Sequence, residues 1–192
     1  MKKRVVKTCI IIIGAILLGI FGLGLYFKIT VSKSFMIEKG DNYFDYQDGL
    51  QCAGYATAYV LRSMGKDAKG LEVYNKITNK NADGTVPIEV LTQSLKDQNI
   101  KAKLKNGLIL QLKQAVSKGI PVIVFVKSDV NSKWYHYLPI VGYDSKYIYA
   151  ADSLQFEVNA DETDYNRKIS ISDFEKMWKT ELGRNNQYIV FE

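Results

Sequence analysis

The feature that most constrains the fold is an uncharged, largely apolar run of twenty residues, Thr8–Phe27, near the start of the chain. A helix of about 20 residues crosses a bilayer core of about 30 Å. Four positive residues precede the run, while only Lys28 and Lys33 follow closely. Because positive charge marks the cytoplasmic side, we predict a transmembrane helix over 8–27, with residues 1–7 in the cytoplasm and the rest of the chain outside.

The main alternative is a cleaved signal peptide. Such a peptide has an apolar region of about 7 to 15 residues that ends at a small-x-small cleavage site. Gly22 and Gly24 supply small residues, but the apolar run continues through Leu25-Tyr26-Phe27. The pattern therefore favours an uncleaved anchor and a single-pass protein of the cell membrane.

About 160 residues follow the apolar run, which is the size of one domain. A turn signal at Gly40-Asp41-Asn42 predicts a linker over 28–42 and a domain over 43–192. The formal net charge is +6, but five positive residues and no acids lie within the first 28 positions. The domain itself is thus close to neutral, so we do not expect a nucleic-acid partner.

One histidine, His136, and one cysteine outside the apolar run, Cys52, are the candidate reactive groups. The second cysteine, Cys9, lies inside the predicted membrane helix and could not pair with Cys52 outside. An unpaired thiol in an oxidising compartment favours a functional role. The alternative is a buried structural cysteine and an incidental strand histidine.

The residues after Cys52 follow a helical pattern. Small and apolar residues recur at three- and four-residue spacing, with Gly65 as a C-terminal cap, at Ala53, Ala56, Val60 and Met64. Cys52 would lie in the first turn, where unpaired N–H groups and the helix dipole stabilise a thiolate. This position suits a nucleophile.

The middle of the chain supplies scaffold elements. The pattern predicts helices over 71–77, from Pro87 onward and over 108–117, a strand over 100–104, and a buried central strand over 121–126.

A hairpin is predicted from strands over 133–141 and 147–151 with a turn at 143–145. That turn would pair Gly142 with Lys146 and place His136 directly opposite Asp152. Leu138 and Ile140 would share the face of His136 and receive the helix that begins at Cys52.

The end of the chain carries structural signals only. We predict a polar loop over 159–168, a helix capped by the Ser172–Glu175 capping box, and a final strand over 187–191.

Three segments resemble the papain-like bacteriocin-leader peptidases and their stand-alone relatives: 47–56 around Cys52, 134–144 around His136, and 149–153 around Asp152. The resemblance implies an α+β papain-like fold in which a helix carrying the cysteine packs on an antiparallel sheet carrying the histidine and aspartate. It also implies that Cys52 attacks a peptide carbonyl, that His136 is the base, and that Asp152 orients the histidine. The expected substrate is a peptide or protein, with no cofactor and no metal.

The family also uses a glutamine shortly before the cysteine to form the oxyanion hole. In this chain Gln47 lies five residues before Cys52, where the family has six, while Gln51 is adjacent. The residue after the nucleophile is Ala53, where the family has glycine. We favour Gln47 for the oxyanion hole and keep Gln51 as the alternative.

Hydrolysis through a thioester is the activity we expect. Two alternatives remain open: transfer of the acyl group to an amine, as in transglutaminase-like relatives, and a membrane-tethered peptide-binding or sensing module without turnover. Because we find no transporter domain and the predicted topology points outward, we do not expect removal of a leader at a double glycine.

Overall fold

The computed structural model describes residues 12–20, 31–180 and 186–192. The chain divides into two compact units, Met1–Ser32 and Lys33–Glu192. In the first unit, the described residues 12–20 are helical and are called α1. Within the described ranges, no helix combines the length and the hydropathy that a membrane crossing needs. The remainder of the predicted span, the predicted cytoplasmic residues 1–7 and Cys9 lie outside the described residues.

The second unit is an α+β domain built on an antiparallel sheet, which confirms the predicted fold class. Its strands are β1 (Phe35–Met36), β2 (Ala102–Asn106), β3 (Val122–Lys127), β4 (Tyr135–Tyr143), β5 (Tyr147–Ala150), β6 (Arg167–Ser170) and β7 (Gln187–Phe191). Its α-helices are α2 (Cys52–Ser63), α3 (Gly70–Lys76), α4 (Ile88–Asp97), α5 (Ile109–Val116) and α6 (Ile171–Trp178), and a 3-10 helix covers Gln155–Glu157. The strand order is β2-β7-β3-β4-β5-β6, with β1 also paired to β4.

The predicted central strand is confirmed, because β3 lies between β7 and β4 and its apolar residues are buried on both faces. Strand β4 then runs antiparallel to β3, with His136 opposite Val126. A strand that is hydrogen-bonded on both sides is a rigid support. Strand β3 therefore fixes the backbone of β4 at His136.

Helix α2 packs against the sheet through its small residues. Ala53, Ala56 and Val60 are buried in one cluster with Ile123 and Tyr137. The sequence pattern predicts Leu138 and Ile140 as the partners of this helix, and this prediction is wrong. The alanines leave room for the large ring of Tyr137. Successive side chains of a strand point to opposite faces, so the helix covers the face of Tyr137 and not that of Leu138 and Ile140.

The predicted register of the hairpin between β4 and β5 is also wrong. Asp144 accepts hydrogen bonds through its carboxylate from the N–H groups of Lys146 (2.6 Å) and Tyr147 (2.7 Å), so the turn begins later than predicted. Val141 then bulges out between the Ile140–Ala150 and Gly142–Tyr149 pairs. Strand β5 ends at Ala150, and Asp152 belongs to the loop that follows.

Two further differences concern segments predicted as connections. Phe35 and Met36, in the predicted linker, form β1 and pair with β4. Arg167 and Lys168, at the end of the predicted polar loop, begin β6. The next helix is capped by Ser170, whose hydroxyl accepts from the N–H of Asp173 at 3.1 Å, and not by Ser172.

Candidate active site

Cys52 is the first residue of α2, as predicted. The carbonyl of Gln51 accepts from the N–H groups of Gly54 (2.9 Å) and Tyr55 (3.2 Å), which closes the first turn. The N–H of Cys52 precedes these donors and has no acceptor within the helix. Its half-buried side chain, the free thiol of the described residues, lines an open cleft. The thiol of Cys52 is thus accessible from the cleft and lies at the N-terminus of a helix, where a negative charge is stabilised.

His136 is the second residue of β4 and its side chain is buried. Its Nε2 atom lies 2.8 Å from Oδ1 of Asp152. Cys52 lines the same cleft as His136 and lies close enough to help raise the pKa of its ring. Since Asp152 occupies Nε2, the remaining ring nitrogen, Nδ1, is left for the cysteine. The structure thus brings together the three residues that the sequence pattern indicates.

The surroundings of His136 favour the imidazolium form. Burial alone would lower the pKa of His136, because it penalises the charged ring. The charge and hydrogen bond of Asp152, followed by the nearby Cys52, outweigh burial and raise the pKa to about 10. A protonated histidine beside a cysteine stabilises the thiolate, which is the form of the thiol that acts as a nucleophile.

Asp152 is held in place by its own loop and by Asn166. The N–H of Asp152 donates to Oδ1 of Asn166 (2.6 Å), and the Asn166 amide donates back to the carbonyl of Asp152 (2.8 Å). Oδ1 of Asp152 also accepts from the N–H of Leu154 at 2.8 Å. Burial acts to raise the pKa of Asp152, but His136, Arg167 and the Leu154 N–H together lower it. Asp152 is therefore an ionised carboxylate with a fixed orientation.

Arg167 is a residue of the site that the sequence analysis misses. Its Nη1 donates to Oδ2 of Asp152 at 2.7 Å, and its Nη2 donates to the carbonyl of Ser128 and to Oε2 of Glu157, each at 2.7 Å. The segment 167–170 has a single apolar residue, Ile169, so its sequence shows no alternation that would indicate β6. No sequence signal identifies the carboxylate partners of Arg167.

Of the two candidate glutamines, Gln47 lies in the cleft. Its Oε1 accepts from the hydroxyl of Ser153 at 2.7 Å, and its Nε2 donates to the carbonyl of Gly49. In the described part of the chain, the lining of the cleft includes Gln47 together with Cys52, but not Gln51. Oε1 of Gln51 is buried without a hydrogen-bond partner among those residues.

The cleft that contains Cys52 and His136 has a volume of about 980 Å³. Exposed large apolar side chains line it at Leu50, Trp134 and Phe156, which are 45, 72 and 79% exposed. Exposed apolar groups of this size around a concave surface are typical of a binding site. Over residues 12–20, 31–180 and 186–192, no cluster of histidine, cysteine and acidic side chains could hold a metal ion.

Comparison with known families gives a match over most of the domain. The family described as "Peptidase_C39 like family" matches residues 40–184. No curated protein matches the chain in sequence.

Three solved structures of similar fold are described as peptidases or proteases. A C39-like peptidase from Bacillus anthracis is 17% identical, with a TM-score of 0.61, over 84% of this chain and 98% of the other. The peptidase domain of Streptococcus ComA, a bifunctional ABC transporter of a quorum-sensing pathway, is 14% identical with a TM-score of 0.57, over 77% and 96%. A double-glycine motif protease from an AMS/PCAT transporter, solved with its leader peptide, is 17% identical with a TM-score of 0.53, over 84% and 92%. At these identities the likeness establishes the shared fold.

Proposed function

Since the chain belongs to the C39-like peptidase family and is a cysteine peptidase, we propose that it cleaves peptide bonds with Cys52, His136 and Asp152 as its catalytic triad. The observation that carries this proposal is the 2.8 Å contact between Nε2 of His136 and Oδ1 of Asp152, with Cys52 in the same cleft and close enough to affect the pKa of the ring. The contact leaves one nitrogen of the ring facing the nucleophile and the other facing an ionised carboxylate, as base catalysis requires.

The reaction proceeds in two steps. The thiolate of Cys52 attacks the scissile carbonyl, and the imidazolium of His136 gives its proton to the leaving amine, which leaves a thioester on Cys52. Neutral His136 then takes a proton from water, whose oxygen attacks the thioester and releases the acid. Asp152 stays ionised throughout and stabilises each imidazolium that forms.

The oxyanion hole in this proposal has two donors. One is the N–H of Cys52, which has no acceptor within the helix. The other is the Nε2 group of Gln47, which has two hydrogens and uses one of them for the carbonyl of Gly49. Ser153 donates to the oxygen at the opposite end of the amide, which fixes the orientation of the Gln47 side chain. Donors of this kind stabilise the charge that develops on the carbonyl oxygen.

The substrate class is an extended peptide segment. A cleft of about 980 Å³ lined by Leu50, Trp134 and Phe156 exceeds the need of a single amino acid and offers apolar surface to the side chains of a peptide. One relative of the same fold was solved with a leader peptide bound, which supports a peptide substrate for this chain too.

The location follows from the N-terminal sequence. We place residues 8–27 across the membrane with the N-terminus in the cytoplasm and the catalytic domain outside, because the apolar run is long enough and positive charges precede it. In intact cells, a membrane-impermeant maleimide should then label Cys52 in a Cys9→Ala chain. Labelling that needs permeabilised cells would contradict this topology.

The test of the activity is cleavage of a library of internally quenched peptides by the full chain. We expect cleavage by the wild-type chain and none by folded Cys52→Ala or His136→Ala chains. Adding a primary amine and analysing the products by mass spectrometry separates hydrolysis from acyl transfer. Equal cleavage by the Cys52→Ala chain would overturn the proposal.

A further inference from the structure

Arg167 is one of the most buried charged residues of the domain, with 3% of its surface exposed. It lies in β6 opposite Ala150, the last residue of β5. Its guanidinium reaches three oxygen atoms at 2.7 Å, from Asp152, Ser128 and Glu157. Burying a guanidinium costs free energy unless it is paired and hydrogen-bonded. Here both conditions are met, and one of the partners is the carboxylate beside His136.

The two oxygens of the Asp152 carboxylate are used differently. Oδ1 faces Nε2 of His136 and also accepts from the N–H of Leu154. Oδ2 faces away from the ring and accepts from Nη1 of Arg167. The guanidinium thereby blocks rotation of the carboxylate group, because turning Asp152 would break a charge-assisted hydrogen bond between buried partners.

We propose that Arg167 is a positioning residue of the peptidase, which orients the Asp152 carboxylate toward His136 and keeps it ionised through catalysis. This inference rests on the catalytic triad proposed above. It adds a fourth residue, which lies outside the three segments that carry the sequence resemblance.

Glu157 completes the arrangement on the side of the cleft. It accepts from Nη2 of Arg167 and lines the cleft with its partly exposed carboxylate. The charged groups around Asp152 are therefore His136 and Arg167, and those around the far side of Arg167 are Glu157 and, acting at longer range on Glu157, Asp129. Arg167 thus lies between the carboxylates of Asp152 and Glu157, which offset the positive charge buried with it.

The fork of the guanidinium explains why arginine occupies this position. Lysine carries the same charge but presents it as a single point with three rotatable donors, whereas arginine offers a planar fork. A lysine at position 167 would keep positive charge near Asp152 and could not reproduce the contacts to Ser128 and Glu157 together. The two effects of Arg167, charge and orientation, are therefore separable by substitution.

The experiment compares full chains carrying Arg167→Met, Arg167→Lys and the control Lys168→Met with the wild type. Lys168 is the neighbouring residue of β6, and its side chain is exposed. The substrate is the quenched peptide that the wild-type chain cleaves fastest in the library. We measure kcat and KM against pH, the melting temperature, and the rate at which iodoacetamide alkylates Cys52, which needs no substrate.

We expect Arg167→Met to lower kcat by about 10- to 100-fold with little change in KM, because a small misplacement of a catalytic group costs rate without affecting binding. As the pH is lowered, this chain should lose activity and Cys52 alkylation at a higher pH than the wild type does. Arg167 helps to lower the pKa of Asp152, so without it the carboxylate is protonated at a higher pH. Arg167→Lys should keep the wild-type acid side with an intermediate kcat. Lys168→Met should match the wild type in all of these.

A merely structural role for Arg167 would lower the melting temperature without moving the pH dependence, and that result in a folded Arg167→Met chain would overturn the inference. If the Arg167→Met chain does not fold, the Arg167→Lys chain is the test. A wild-type kcat in that chain overturns the inference, whereas a reduced kcat with the wild-type loss of activity at low pH supports it. A Cys52→Ala chain assayed in parallel separates the two proposals. Activity in that chain would contradict the triad, whereas an inactive Cys52→Ala chain beside a wild-type-like Arg167→Met chain would contradict only the role of Arg167.

Discussion

The hydroxyl of Ser153 donates to Oε1 of Gln47 at 2.7 Å, and the N–H of Gln47 donates to the carbonyl of Ser153 at 3.0 Å. These two bonds join the segment just before the nucleophile to the residue just after Asp152. The orientation of the Gln47 amide is therefore linked to the loop that carries the triad carboxylate. Oε1 of Gln51, in contrast, has no hydrogen-bond partner among the described residues.

The first prediction concerns the two glutamines. Gln47→Ala should lower kcat by about 10²- to 10³-fold, because one oxyanion donor contributes about 2.7 to 4 kcal/mol to the transition state. KM should change little, since the developing charge is absent from the bound substrate. Steady-state kinetics on a cleaved library peptide measures both constants.

Gln51→Ala is the matched comparison for Gln47→Ala, because it makes the same truncation four positions along the chain. It should leave kcat within a few fold of the wild type. The reverse ranking of the two variants would assign the oxyanion role to Gln51.

The second prediction concerns the tautomer of His136. In an Asp152→Asn chain, the new amide can donate to Nε2, which leaves the proton of the neutral ring on Nδ1, facing Cys52. The ring then cannot accept the thiol proton, and kcat should fall by about 10³- to 10⁴-fold. The melting temperature serves as the control, because the substitution also leaves Arg167 without an ionised partner at Oδ2. A folded Asp152→Asn chain with kcat near wild type would show that Asp152 does not orient the ring.

The third prediction concerns the protonation of His136 and uses the fact that the chain has a single histidine. In a chain purified without a histidine tag, the imidazole nitrogens give one set of NMR signals. The ring should stay protonated at neutral pH and lose its proton as the pH rises through about 10. Cys52→Ala should lower the pKa of His136, because the nearby Cys52 helps to raise it. An identical titration in both chains would mean that the two side chains do not interact.

Much of the site could be predicted from the sequence because it rests on strong local patterns. The alanine spacing after Cys52 indicates a helix with one small face, and α2 begins at that residue. The β-branched run over 121–126 indicates a buried strand, and β3 is central in the sheet. Patterns of this kind follow from the backbone period of each element, so one sequence suffices to detect them.

The remaining features depend on contacts that no local pattern contains. The hairpin register depends on which backbone groups the Asp144 side chain binds and on the bulge at Val141. The predicted contact between His136 and Asp152 nevertheless forms, because the loop after β5 carries Asp152 to the ring. Arg167 joins Asp152 across fifteen positions of the sequence, and a lone arginine in a polar stretch does not indicate a carboxylate partner.

The fourth prediction concerns the support of the nucleophile helix. A Cβ atom at Gly54 would meet Cβ of Tyr74 and would lie 2.6 Å from the carbonyl oxygen of Gly70, so α3 could not keep its place. Gly54→Ala should lower the free energy of unfolding by about 1 to 3 kcal/mol, in the range of other overpacked cores. Urea unfolding followed by fluorescence measures the change.

Gly65→Ala provides a comparison of a different kind. Gly65 has a φ of 75°, but a Cβ there would meet no atom within 4 Å, so its substitution strains the backbone without a clash. We expect a smaller loss of about 1 kcal/mol. If Gly54→Ala were the milder of the two, the close approach of α2 and α3 would not matter for stability.

The most direct test of the triad is the alkylation of Cys52 by iodoacetamide as a function of pH. Peptide mass spectrometry follows the modified residue in the full chain and in a His136→Ala chain. The triad predicts that Cys52 is alkylated rapidly in the wild-type chain, because His136 can accept the thiol proton, and that this reactivity is lost without His136. The same dependence on pH with and without His136 would contradict the catalytic pair.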